Sequence, residues 1–150
     1  VPALLLVLAG VLVPSRATAG ADWNDQQVHW LSYEKGLAAA RQHHKPICMV
    51  LYAEWCPHCR NYSQIFKDPK VIEKSSQFVM IRLDVDTDKA LADRFNVDGT
   101  YVPRTYFMSP DGTIQQDVHA SRGRFIYFYD EADPASVLSG MDEALKKQAH

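Results

Sequence analysis

Apolar and polar positions along this chain change period in a way that marks out its elements. Between Val28 and Gln42, Trp30, Tyr33, Leu37 and Ala40 recur at spacings of three and four, which predicts one buried face of a helix ended by His43-His44-Lys45-Pro46. Ile47 to Ala53 is a short unbroken apolar run, predicting a central strand buried on both sides. That run leads into Glu54-Trp55-Cys56-Pro57-His58-Cys59. Here a second helix is predicted to start, with Cys56 at its N-terminus and Pro57 in the first turn, where a missing N–H costs nothing. Tyr62, Ile65 and Phe66 then share a side, Asp68-Pro69 interrupts, and a further helical turn covers Val71 to Ser75. Phe78 to Asp84 reads as a strand, Lys89 to Phe95 as a short helix, and Thr105 to Met108 as a third strand. The Ser109-Pro110-Asp111-Gly112 turn signal should return the chain as a hairpin partner over Thr113 to Val118. Asp133-Pro134 is an N-cap followed by proline at the first helical position. It opens a last helix with Val137, Leu138, Met141 and Leu145 on one face and Lys146-Lys147 at its end. Helices and strands alternating in this order predict a mixed α/β fold, one sheet with helices on both faces.

Residues 1–19 break the pattern. Leu4 to Val13 is apolar but too short to span a bilayer, and Ala17-Thr18-Ala19 supplies the small residues of a signal-peptidase site before Gly20. The expectation is a signal peptide over 1–19 that is incomplete at its N-terminus, a polar lead-in over 20–27, and one domain over 28–150. Composition agrees with a folded domain: 150 residues, 47% hydrophobic and 23% charged. A net charge of −2 without a basic block gives no reason to expect nucleic acid. With the leading segment removed, no membrane partner is expected either.

The chemistry lies in the cysteines. There are three, Cys48, Cys56 and Cys59, too few and too close to staple a small secreted scaffold. A two-residue gap closes no large loop, so the Cys56/Cys59 pair is chemical rather than architectural. Thiolate, not thiol, attacks a disulfide. A helix N-terminus and His58 both favour a thiolate at Cys56, and the spacing brings the Cys59 thiol within reach one turn inward, where it can resolve a mixed disulfide. Zinc would need a second ligand pair that the scattered histidines do not offer, and c-type haem would need His where Arg60 stands. No metal is therefore expected. Cys48, mid-strand, reads as a core cysteine. His29, His43, His44, His119 and His150 read as surface residues, and Asn61-Tyr62-Ser63 as a glycosylation sequon too close to the pair to be favoured for use. The aromatic run Phe125 to Tyr129 is expected to pack on the sheet edge or core.

Ala53 to Cys59 resembles the active-site segment of thioredoxins, and Val102-Pro103 before a strand resembles that family's cis-proline loop. His29-Trp30, Lys45-Pro46-Ile47, Phe78-Val79-Met80, Tyr101 to Arg104, Ser109 to Gly112 and Tyr127-Phe128-Tyr129 narrow the resemblance. They are similar to the endoplasmic reticulum group of thioredoxin domain-containing protein 12 and the anterior gradient proteins, over roughly residues 28–147. The resemblance implies a thioredoxin fold and a thiol-disulfide oxidoreductase acting on client proteins without a cofactor, with glutathione or another oxidoreductase as its redox partner. It implies catalysis by Cys56 and Cys59, tuning by Pro57 and His58, and client binding at Val102, Pro103 and Trp55. Pro-His between the cysteines resembles the pair of the bacterial periplasmic oxidase, which implies an oxidase or isomerase poise; a glutathione-dependent reductase is the reverse reading. A binding module of the anterior gradient type, with little catalysis, is the rival. Two departures stand out. The family's buried carboxylate six residues before the first active cysteine is replaced by Val50. The chain also ends Lys147-Gln148-Ala149-His150, not in the group's Lys-Asp-Glu-Leu-type retrieval signal, so endoplasmic reticulum lumen and secretion both remain expected sites of action.

Overall fold

The computed structural model describes residues 20–150, so the signal-segment expectation for 1–19 lies outside the described residues. The elements run β1 (Trp30–Leu31), α1 (Tyr33–His43), β2 (Ile47–Tyr52), α2 (Pro57–Ile65), α3 (Pro69–Ser75), β3 (Val79–Asp84), α4 (Lys89–Ala92), a 3-10 turn (Asp93–Phe95), β4 (Arg104–Met108) and α5 (Pro134–Gln148). The sheet order is β1-β3-β2-β4. β3 is parallel to both β1 and β2, while β4 runs antiparallel to β2.

β2 is buried at all six positions, and its side chains alternate between two cores. Cys48, Val50 and Tyr52 point to the side covered by α2, α3 and α5, where Tyr62, Phe66, Val71, Val137 and Met141 pack. Ile47, Met49 and Leu51 point to the other side, covered by α1 and α4 with Ala40 and Leu91. The sandwich with helices on both faces follows from that alternation, since a strand with two apolar faces needs two covers.

Capping sets the helix starts. The Asp68 carboxylate accepts from the Lys70 and Val71 N–H groups at 2.9 and 3.2 Å, which separates α3 from α2. Asp133 accepts from Ala135 N–H at 2.9 Å and starts α5, with Pro134 in its first turn.

Three expectations are corrected. The first helix does not begin near Val28. Trp30 and Leu31 pair with Met80 and Ile81 as an edge strand, and Ser32, in an extended conformation, caps α1 at Tyr33. The return strand over Thr113 to Val118 does not form. After the turn, closed at Gly112 with φ 91°, Ile114 makes a single bridge to Met108. Gln115 N–H donates to Phe107 O at 2.9 Å, the chain then departs, and Tyr127 O instead accepts from Thr105 N–H at 2.8 Å. The aromatic run thus completes the β4 edge. Finally, the lead-in is not only polar. Trp23 is 3% exposed and packs against Trp30, Tyr52, Tyr62 and Phe66. Among the described residues no helix is long and apolar enough to cross a membrane.

Candidate active site

β2 delivers the chain through a tight turn, in which Cys56 N–H donates to Ala53 O at 3.2 Å, straight into α2. Cys56 is the N-cap, extended at φ −78° and ψ 114°, and its Sγ accepts from the Cys59 N–H at 3.1 Å. A sulfur at this position collects the unpaired amides of the first turn and the positive end of the helix dipole, both of which favour a thiolate. Pro57 occupies the first turn and removes no bond there.

The Cys56 thiol also donates to the Val102 carbonyl at 3.7 Å, and the Val102–Pro103 peptide is cis. Two segments separated by more than forty residues thus meet at one sulfur. Cys56 is 2% exposed and Cys59 fully buried, so the Cys56 sulfur is less open than its place at a helix end implies. Burial pushes the Cys59 thiol well above the usual thiol range, reinforced by its bond to the Cys56 sulfur and, to a lesser degree, by repulsion from Cys56 and Glu131. Burial alone pushes Cys48 up as well, as expected for a core cysteine. All three cysteines are free thiols in this structure.

His58 has partners of its own. Its Nδ1 stands 2.9 and 3.0 Å from the two carboxylate oxygens of Glu131, and its ring meets Phe128 edge-on at 5.7 Å. Trp55 is 65% exposed, and its Nε1–H donates to Asp86 at 2.7 Å. Val50 is fully buried. The buried polar side chains are Ser63, Ser75, Arg104 and Thr105, so among the described residues no carboxylate lies in the core. The structure therefore brings Cys56, Cys59, Val102 and Pro103 together, carries Pro57 and His58 on the same helix start, and leaves Trp55 on the rim.

Glu131 was not singled out from sequence. Its only local signal is the acidic cluster ahead of α5, and its partner lies 73 residues away. The other five histidines and Asn61 are exposed. Among the described residues no cluster of His, Cys, Asp or Glu has the makings of a metal site.

A thioredoxin-like family model matches residues 29–110. Human anterior gradient protein 2 homolog is 34% identical over 131 residues, covering 86% of this chain and 73% of that protein. Mouse anterior gradient protein 3 is 30% identical over 132 residues, covering 86% and 78%. Among solved structures, a thioredoxin from Thermus thermophilus superposes with a TM-score of 0.63 at 22% identity, over 81% of this chain and 90% of that one. A structure described as DsbH oxidoreductase gives 0.61 at 21% identity, over 90% and 92%. With a sheet flanked on both faces, a two-cysteine helix start against a cis-proline loop, and these relatives over most of its length, the chain belongs to the thioredoxin-like family.

Proposed function

We propose that this chain is a thiol-disulfide oxidoreductase of the secretory pathway that exchanges disulfides with client proteins through Cys56 and Cys59. The observation that carries the reading is the Cys56 sulfur, which caps α2 through Cys59 N–H at 3.1 Å while facing the Val102 carbonyl at 3.7 Å. In the reducing direction the Cys56 thiolate attacks one sulfur of a client disulfide, and the other client sulfur leaves as a thiolate that takes up a proton. Cys59 then loses its proton and attacks Cys56, forming the Cys56–Cys59 bond and releasing the second client thiol. The oxidising direction runs the same steps backwards. No cofactor enters this cycle; glutathione or another oxidoreductase returns the pair to its starting state.

Cys56 is the attacking and Cys59 the resolving residue, and burial of Cys59 suits a thiol that should ionise only once the mixed disulfide has formed. Pro57 and His58 tune the pair. Val102 and Pro103 present backbone to an extended client segment, and the exposed Trp55 ring borders it. Oxidative refolding of a reduced, denatured client tests the assignment. Cys56→Ser should abolish catalysis, and Cys59→Ser, mixed with a disulfide-bearing client, should accumulate a client joined to Cys56. Equal activity of wild type and Cys56→Ser would sink the enzyme reading and favour the anterior gradient type of binding module.

A further inference from the structure

Pro57-His58 between the cysteines suggests an unopposed imidazole beside Cys56, and the geometry is otherwise. Both oxygens of Glu131 lie within 3.0 Å of His58 Nδ1. The loop carrying Glu131 is pinned: Asp130 N–H donates to Ser136 Oγ at 3.0 Å, Ala132 N–H to Asp130 Oδ1 at 2.8 Å, and Asp133 caps α5. Phe128 also meets Arg122, whose guanidinium lies 4.9 Å from the ring centroid and donates to Phe128 O at 3.0 Å. The result is a cleft of about 710 Å³ with His58, Phe128, Arg122 and Glu131 in its walls. The charged groups facing His58 are Glu131 and Asp130 from the loop, Asp133 from the α5 cap and Arg122 from the preceding segment, with Cys56 and Cys59 on its own helix start.

Resting on the exchange reading above, we infer that Glu131 is a positioning residue that makes the Cys56–Cys59 pair less oxidising than its Pro57-His58 sequence implies, by holding His58 and offsetting the positive charge it brings to Cys56. A thiol pair is a strong oxidant when its reduced form is stabilised as thiolate. When His58 is protonated, the Glu131 carboxylate held against it offsets its charge and withdraws part of that stabilisation. Repulsion from Glu131 at Cys59 acts in the same direction.

The test is a glutathione redox titration of wild type, Glu131→Gln, His58→Ala and the double variant, with the pH profile of Cys56 alkylation measured alongside. Glutamine keeps an acceptor for His58 and removes the charge. His58 is 60% exposed, so solvent screens the pair and the effect is modest. Glu131→Gln should shift the glutathione equilibrium about fivefold toward the dithiol, about 20 mV less negative, and move Cys56 alkylation to lower pH. In the His58→Ala background the same change should have a much smaller effect. An unchanged potential, a shift toward the disulfide, or equal shifts in both backgrounds would overturn the inference. A merely structural role would lower the denaturation midpoint of Glu131→Gln and leave potential and alkylation profile where they were, which also overturns it. If wild type itself forms no Cys56–Cys59 disulfide across the titration, the exchange reading fails first and takes this inference with it.

Discussion

Placing a carboxylate in the core that holds the thiol pair, by Val50→Glu, tests how dry that region is. Val50 is fully buried at the middle of β2, between Arg82 and Thr105 on the flanking strands. It packs in the core that also holds Cys48, Cys56, Cys59 and Tyr62. The polar neighbours are already engaged: Thr105 with the Tyr62 hydroxyl at 2.8 Å, and Arg82 with Asp25 at 2.7 Å. The added side-chain volume should cost about 1–3 kcal/mol as overpacking. Charge adds a second cost. Burial raises the introduced carboxyl above its unfolded value of about 4.3, so at neutral pH the folded state keeps a proton that the unfolded state releases. If the folded value reaches about 7, the loss at that pH is 1.36 times 2.7, or roughly 4 kcal/mol. The sign follows: the penalty is absent below about pH 4, grows by up to about 1.4 kcal/mol per pH unit above it, and levels off above the folded value. Urea unfolding of Val50→Glu and the neutral, size-matched Val50→Gln at about pH 5 and about pH 8 separates the two costs. The two variants should differ by about 1 kcal/mol at the lower pH and by about 3–4 kcal/mol at the higher. One common pH profile for both would refute a dry Val50 site. If Cys59 lacks a proton acceptor at this position, Val50→Glu should also resolve a pre-formed mixed disulfide faster than Val50→Gln in a single-turnover quench.

Three further outcomes are expected. Trp23→Ala removes a buried indole touching four aromatic rings and should cost about 3–5 kcal/mol in urea unfolding; a loss below about 1 kcal/mol would mean that residues 20–27 lie outside the cooperative unit. Gly140→Ala puts a Cβ 2.5 Å from the Tyr129 hydroxyl and 2.7 Å from the Phe107 ring, so it should destabilise by about 1–3 kcal/mol despite the better helix propensity of alanine; a thermal midpoint at or above that of wild type would contradict this packing. Cys48, buried and held protonated by its surroundings, should resist iodoacetamide in the native protein and react only after unfolding, as peptide mass spectrometry would read; native labelling would show that β2 opens.

The parts of the fold visible in sequence are those whose cause is local. The β2 run from Ile47, the Asp68-Pro69 interruption, the Asp133-Pro134 cap and the Cys56-Pro57 helix start each depend on residues within one or two turns, and all appear where expected. β1 was invisible because two residues have no period, and Trp30 becomes a strand residue only through Met80. The hairpin strand was wrongly expected because the turn signal at Ser109 to Gly112 is real. What it does not specify is which segment takes the β4 edge, and Tyr127 takes the Thr105 amide.

The same division runs through the site. The sequence by itself determined the chemistry: two thiols one helical turn apart, a proline that tolerates the first turn, a histidine between them, and an apolar Val50 six residues ahead of Cys56. These are covalent identities and short-range spacings, and no packing can alter them. Only the tertiary structure decided the surroundings. It set the Val102 carbonyl against Cys56, buried both sulfurs, closed the core over Trp23, and clamped Glu131 onto His58. Those outcomes depend on contacts between residues far apart in the chain, which form only when the sheet orders β2 beside β4 and α5 docks behind the pair. Electrostatics depends on distance in space, so the charge that Cys56 experiences was not legible from its neighbours in sequence.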